Sequence, residues 1–426
     1  MLSLVKPSYF FYFLTIYFFP QFISYVGLAF EQVFTILLFC VCSFYVMVNG
    51  KLTKASLGYA VTFFSMLLYA LIVSVDKTSG SDLIELAKPV YFLSFFLFGY
   101  YFTYNNINNR KGLSSLLISF FLATAIMNVF GILEAHFPGF NNIANSLYKD
   151  LRGGVQYKAV VSFISPYTLG SFLLLPLFVS YFLIFYSDKK ISNVLLFFFY
   201  LLGILSTQSR TSIISLIFAF SLITLFSMFI PWIKGRFFSV SIIAIVVFSV
   251  LILWSVIEPI LVKDYFYLYQ GLKTVVDNFD MSNVDRLIYS TPSISNRYDQ
   301  MIEVWNYQSQ LPIFGVMVGK NVVYPESFYA MYLLRFGIIG ILLHFSFLYI
   351  GFTKALKLAK YFHFAKDYKF CGVLLGLSFY YLSLVFSYFS SAVNDQSRTG
   401  FIFYASIGFI LALNKLTTNK KFEGIY

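Results

Sequence analysis

Runs of about 20 apolar residues recur along this chain, and they constrain the fold before anything else does. A helix of roughly 20 residues crosses a hydrocarbon core of about 30 Å, and inside that core backbone N–H and C=O groups must be paired within the structure itself, which a helix achieves and an open strand does not. Twelve runs are candidates, at roughly 8–28, 31–49, 55–75, 89–107, 113–133, 161–186, 191–208, 211–231, 238–258, 327–352, 370–391 and 399–415. Only 11% of the 426 residues are charged and 59% are hydrophobic, whereas a soluble domain carries about 25% charged residues. There is too little charge here to cover a water-facing surface. The expected fold class is an all-α polytopic membrane protein with about twelve transmembrane helices, forming one integral membrane domain over 1–426. The first run lacks a small-residue cleavage pattern and is expected to be a retained span.

The net charge of +12 would suit a nucleic-acid binder, but the basic residues form no patch. They alternate with the spans. With the N-terminus inside, the inner segments carry Lys6, Lys51 with Lys54, Arg110 with Lys111, Lys189 with Lys190, Lys234 with Arg236, the lysines of 354–369, and Lys415, Lys420 and Lys421, with Asp188, Asp367 and Glu423 as their acids. Each inner segment is net positive, so both termini are expected in the cytoplasm. Nucleic acid is not an expected partner. Cys40, Cys42 and Cys371 all lie in apolar runs, where a thiol is a small packing residue.

Most connections are short, but two on the expected outer side are long: 134–160 and 259–326. The second has breakers at Pro292 and Pro312 and two helical stretches, one near 264–278 and one from about Ser295 to Gln310. In the latter, Arg297, Met301, Val304 and Trp305 share a face at helical spacing, which suits a helix lying on the bilayer or capping the bundle.

The residues with chemical capability cluster around these outer turns. Arg210, in LSTQSRTSIISL, is held near the hydrocarbon boundary and wants an anion or several carbonyls; a snorkelling anchor is the plainer reading. Arg297 follows Ser295-Asn296, a capping start. A cation in the first helical turn has the wrong sign for the helix dipole unless an anion binds there, and a solvated loop arginine is the plainer reading. Arg152 and Lys158 flank LRGGVQYK, whose glycines permit close backbone approach to a ligand; Arg286 and Lys320 are further outer cations. Glu326 opens the tenth run, with Gly337 and Gly340 able to admit a neighbouring helix. It is a candidate base or an ordinary dipole-matching cap. Arg335 lies about 13 Å deeper by helical rise and calls for a partner that the sequence leaves unassigned. Tyr298, Trp305, Tyr307, Tyr324 and Tyr329 are candidates for stacking on sugar faces or for an interfacial aromatic belt.

Metal chemistry is not expected: there is no Asp-X-Asp pair, and His136, His344 and His363 are scattered. No P-loop occurs, so nothing indicates ATP hydrolysis. No cofactor is expected.

Three stretches together resemble the O-antigen polymerase and O-antigen ligase (Wzy/WaaL) superfamily: SRTSIISL around Arg210, SNRYDQMIEVWNYQSQLPIFGVMVGKN around Arg297, and ESFYAMYLLRFGIIG from Glu326. RGGVQYKAVVSFISPYTLGSFL is an earlier match. Ligases of that family carry His, then Asn, Ser or Gln, nine residues, Gly, two residues and Gly. This chain keeps the spacing with Glu326 in the histidine position, which favours a polymerase, and the Arg297–Gly315 gap is longer than the ligase one. The resemblance implies a bacterial inner-membrane enzyme that moves a growing glycan from undecaprenyl diphosphate to the non-reducing end of a new lipid-linked repeat, by inverting, metal-independent transfer. It assigns catalysis to Arg210, Arg297 and Glu326, and substrate binding to Arg152, Lys158, Arg286, Lys320, Tyr298 and Trp305. Membrane lipid, the lipid-linked oligosaccharide and a chain-length regulator are the candidate partners. The alternatives are an O-antigen ligase, a capsule or exopolysaccharide polymerase, and a flippase for the same lipid.

Overall fold

Helix α6, Pro166–Tyr186, is apolar all round, PYTLGSFLLLPLFVSYFLIFY without one charge, and a helix of that kind belongs inside a bundle. Nearly all of it is buried, against α7 (Lys190–Thr207), α8 (Arg210–Phe229) and α12 (Tyr368–Ser387). The computed structural model describes residues 6–19, 30–51, 83–107, 109–148, 158–251, 292–308 and 325–418, with isolated positions in 58–72, 258–273 and 313–316. The remaining described helices are α1 (Pro7–Phe18), α2 (Phe30–Asn49), α3 (Leu83–Asn106), α4 (Arg110–His136), α5 (Pro138–Tyr148), α9 (Arg236–Leu251), α10 (Pro292–Gln308), α11 (Phe328–Phe364) and α13 (Ser397–Thr418). Among the described residues there is no strand, and seven helices are long and apolar enough to cross a membrane. The chain is an all-α protein with the helices of a membrane protein. The expected run at 55–75 and most of 259–291 fall outside the described residues apart from isolated positions; within the expected helix at 264–278 the described positions 266, 268–270 and 273 are helical.

Packing elsewhere relies on small residues. Helices α3 and α13 touch backbone to backbone: a Cβ on Gly99 would sit 2.1 Å from the Ala405 carbonyl oxygen, and one on Gly408 would sit 2.2 Å from that of Phe96. Where lipid tails are as apolar as side chains, such close approach is what holds helices together.

The turns fall into two groups at opposite ends. At one end Arg110 Nε lies 2.9 Å from Asp367 Oδ2, the Tyr186 hydroxyl donates to the Trp232 carbonyl, and the Trp232 and His363 rings are 5.4 Å apart. Several turns with the basic residues expected on a common side therefore do meet. At the other end the α12–α13 connection meets the starts of α8 and α11.

Several element boundaries differ from those expected from sequence: α1 ends at Phe18 rather than 28 and α3 begins at Leu83 rather than 89, and three further differences have a local cause. Helix α6 starts at Pro166 rather than 161, because Val161 takes a left-handed φ of 53° and Ser165 caps the helix by accepting from Thr168 N–H; Pro at the first position fixes that start. Helix α10 starts at Pro292 for the same reason, so Arg297 is its sixth residue and lies beyond the first turn. The dipole argument for an anion there does not hold. Helix α11 runs to Phe364, past the expected 352, and breaks at Gly337 (φ 62°, ψ −162°). Glycine tolerates that conformation without a Cβ clash. Ile313 and Val316 lie along the break: Val316 N–H donates to the Leu334 carbonyl at 2.8 Å, and Ile339 N–H to that of Ile313 at 3.3 Å. Gly337 is thus a break in the helix, so the segment from Glu326 and the segment from Gly340 do not form one continuous helical face.

Gly99→Val is expected to lower the thermal unfolding midpoint in detergent, since overpacking typically costs roughly 1–3 kcal/mol. Gly139→Ala, with nothing within 4 Å of its Cβ, is expected to leave it unchanged or slightly raised.

Candidate functional site

The site is assembled from helix ends, which leave backbone groups unpaired. Phe328 N–H, at the start of α11, donates to the carbonyl of Tyr388, the residue closing α12, at 3.0 Å. Ser327 caps the same start by accepting from Ala330 N–H at 3.2 Å. Two residues past Tyr388, Ser390 is buried; its hydroxyl donates to Ser387 carbonyl at 3.0 Å and accepts from Thr211 at 2.9 Å. Thr211 is the second residue of α8, whose cap is Ser209 and whose first residue is Arg210. The ends of α8 and α12 are therefore joined through one serine, and the start of α11 is joined to the same connection through Tyr388.

Arg297 comes to this serine from α10. Its Nε donates to the Ser390 carbonyl at 3.2 Å, its Nη2 donates to Glu326 Oε2 at 3.3 Å, and its guanidinium lies 5.3 Å from the Tyr167 ring centroid. A planar guanidinium can meet an oxygen along its edge and a ring with its face. Gln300, one turn along α10, accepts from Glu326 N–H at 3.0 Å, while the Glu326 carbonyl accepts from Ala392 N–H at 3.2 Å. The glutamate backbone is clamped on both sides. Its carboxylate is 57% exposed against 16% for Arg297, and pairs of that kind contribute less than about 1 kcal/mol. Stability is a poor explanation for such a geometry.

Lys158 stands near Arg210. Burial, and then the Arg210 charge, push its ammonium down to about 8. The loop carrying it is fixed from below: the buried Glu134 carboxylate of α4 accepts from Val160 N–H at 3.0 Å and Val161 N–H at 2.7 Å, and Ala159 N–H donates to the Ser206 carbonyl at 2.9 Å. Arg210, Lys158, Arg297 and Glu326 thus gather at one end of the bundle. Tyr298 and Trp305 are exposed on α10, 40% and 51%, away from the side that buries Val304. Arg152, Arg286 and Lys320 lie outside the described residues.

A second charged cluster lies deeper. Arg335 Nη1 donates to Asp395 Oδ2 at 3.2 Å and Lys88 contacts the same oxygen; Arg335 and Asp395 are both buried. Asp395 is the partner that Arg335 required. It sits in the 3-10 turn Val393–Asp395, so the cluster anchors the segment whose Ser390 and Ala392 hold Arg297 and Glu326. A cavity of about 20 Å³ opens beside it, room for roughly one water. No group of three or more metal-ligating residues occurs among the described residues.

Sequence reasoning missed Ser390, Gln300, Tyr167 and Asp395. One signal was available: Gln-Ser-Arg-Thr occurs twice, at 208–211 and 396–399, each time at a helix start on this end. The second arginine, Arg398, is buried and donates to the Ile16 and Phe19 carbonyls at 3.0 and 2.8 Å, holding the end of α1. Comparison with protein-family models, with curated proteins and with solved structures gave no match.

Asp395→Asn, which removes the charge from a buried carboxylate shared by two cations, is expected to destabilise the protein by roughly 3–5 kcal/mol. Arg335→Met in the same chain should recover part of the loss; strict additivity in thermal unfolding would contradict the coupling. Lys158 should react with an amine-acylating reagent along a titration centred near pH 8, read by mass spectrometry, and Arg210→Ala should move that midpoint upward because a neighbouring positive charge is gone.

Proposed function

We propose that this chain is a polysaccharide polymerase of the O-antigen type. It would transfer a growing glycan from undecaprenyl diphosphate to a new lipid-linked repeat at the outer face of a bacterial inner membrane. The observation that carries this reading is the meeting of Arg297, Glu326 and, through Thr211 and Ser390, the start of α8 with Arg210, beside Lys158. Sequence resemblance at the same three stretches is its second support.

In this reading the diphosphate lies against Arg210, Lys158 and Arg297 while its tail stays in lipid. The acceptor hydroxyl oxygen attacks the anomeric carbon, and the carbon–oxygen bond to the diphosphate breaks. Glu326 takes the hydroxyl proton as general base, and polyprenyl diphosphate leaves with the bonding pair, its growing charge met by preorganised guanidinium and ammonium groups. Single displacement inverts the anomeric centre. Arg297 touches both halves of this chemistry, since it contacts the base and stands among the cations. An O-antigen ligase or a capsule or exopolysaccharide polymerase would use the same step with another acceptor or repeat.

One observation favours a different class. Helix α11 is broken at Gly337, and the Lys88–Asp395–Arg335 cluster lies beside it; broken helices with buried charge also occur in transporters. A flippase for the same lipid is therefore the second reading.

Expressed in a polymerase-deficient bacterium, the wild-type chain should restore a lipopolysaccharide ladder. Arg210→Ala, Arg297→Ala and Glu326→Ala should abolish it with the protein still in the membrane. Glu326→Gln keeps the shape and loses the base, and should cost about 10²–10⁴-fold in rate; a wild-type ladder from it would leave Glu326 with a positioning role only. Transbilayer movement of lipid-linked oligosaccharide in vesicles, without chain growth, would instead establish the flippase.

A further inference from the structure

A cavity of about 340 Å³ lies among α1, α3, α4, α6, α12 and α13, within the range of small-molecule sites. Tyr12, Phe98, Phe102, Phe120, Leu175 and Phe401 are among its walls, and no charged residue lines it. Apolar cavities stay dry, and an empty one forfeits the dispersion contacts of every wall atom. Hydrocarbon is the chemistry that fills it.

Its position separates it from the cation cluster. Helix α1 contributes its first turns, with Ser8 and Tyr9, α3 its last, with Phe102 and Thr103, and α4 its first, with Leu116 and Leu117. Along α4, Phe120 and Glu134 are about 21 Å apart by helical rise, and Glu134 belongs to the cation-cluster end. At the cavity's own end stand two cations. Lys6 Nζ lies 5.1 Å from the centroid of the wall residue Tyr9, and Lys415 Nζ lies 5.2 Å from that of Tyr104, next to the wall residue Thr103. An apolar chamber with lysines beside it matches a molecule that has a hydrocarbon chain and an anionic head.

We propose that this cavity holds one acyl chain of an anionic phospholipid, with the phosphate beside Lys6. A polyprenyl phosphate offers similar chemistry, and the experiment separates the two sources. The site is independent of the function proposed above.

The full chain, in vesicles containing phosphatidylglycerol with a photoactivatable group on its acyl chain, is irradiated and digested, and adducts are mapped by mass spectrometry. Adducts are expected on Phe98–Thr103 and Leu116–Phe121. Leu117→Trp, which fills the cavity, should remove them while thermal unfolding reports a folded protein. Lys6→Glu should reduce phosphatidylglycerol labelling at least about fivefold, as expected from the contribution of a single surface cation, without reducing labelling by a zwitterionic analogue. Absence of adducts in the wild-type chain overturns the proposal, as does unchanged labelling in a folded Leu117→Trp protein. Native mass spectrometry of the wild-type chain should find one retained phospholipid; a retained polyprenyl phosphate in its place also overturns the assignment.

Discussion

The carbonyl of Ser390 is the point on which the candidate site depends. It accepts from Arg297, and its own residue is fixed by the α12 terminus and by Thr211 of α8. The end of a helix leaves carbonyls without intrahelical partners, so a polar connection following α12 can meet a guanidinium as well as a neighbouring helix start. The short run from Tyr388 to Ala392 does this repeatedly: Tyr388 pairs with Phe328, Ser390 with Arg297 and Thr211, and Ala392 with Glu326. Three segments distant in sequence, α8, α10 and the start of α11, are registered by one connection.

The two charged groups have different roles because their surroundings differ. Arg297 and Glu326 face an open side where solvent weakens their attraction, and the geometry there is free to serve a ligand. Lys88, Asp395 and Arg335 lie where charge is costly unless paired, and pairing there fixes the connection whose upper part carries the site. The deep cluster therefore acts as an anchor, and of the upper pair it is the Glu326 carboxylate that stays exposed. Since α11 breaks at Gly337, two residues beyond Arg335, the anchor also holds the short leading half of that helix in place.

The bundle itself was legible. Apolar length located the seven described helices that are long and apolar enough to cross a membrane, and alternation of basic turns anticipated that Arg110, Lys234 and the 365–369 turn share an end. Boundaries went astray where a single residue overrides hydropathy: Pro166 and Pro292 each begin a helix, and Gly337 interrupts one. Arg210 stood out because a charged group near hydrocarbon demands a partner; Arg297 was reached by a dipole argument that its place beyond the first turn removes, and Glu326 by its position at the start of a span. Their supporting shell did not stand out, because Ser390, Gln300 and Tyr167 are ordinary residue types whose importance comes from where the chain brings them. The partner of Arg335 was hidden for a similar reason: Asp395 lies 60 residues away, in a polar stretch that reads as a plain connection. The repeated Gln-Ser-Arg-Thr was the overlooked cue, and its two arginines differ in use, Arg398 tying down α1 while Arg210 stands by Lys158.

The most direct measurement is a cysteine cross-link between Thr211 and Ser390, whose hydroxyl oxygens lie 2.9 Å apart, carried out with the native Cys40, Cys42 and Cys371 replaced by alanine. The two Cβ atoms are each one bond from those oxygens, so a small side-chain rotation brings the sulfurs of the paired cysteines within reach of a disulfide. Mild oxidation of Thr211→Cys/Ser390→Cys in membranes should close the bond nearly completely, seen as a mobility shift that reductant reverses. Failure to form it in a folded protein would mean that α8 and the α12–α13 connection do not meet, and the account of the site would fall with that contact.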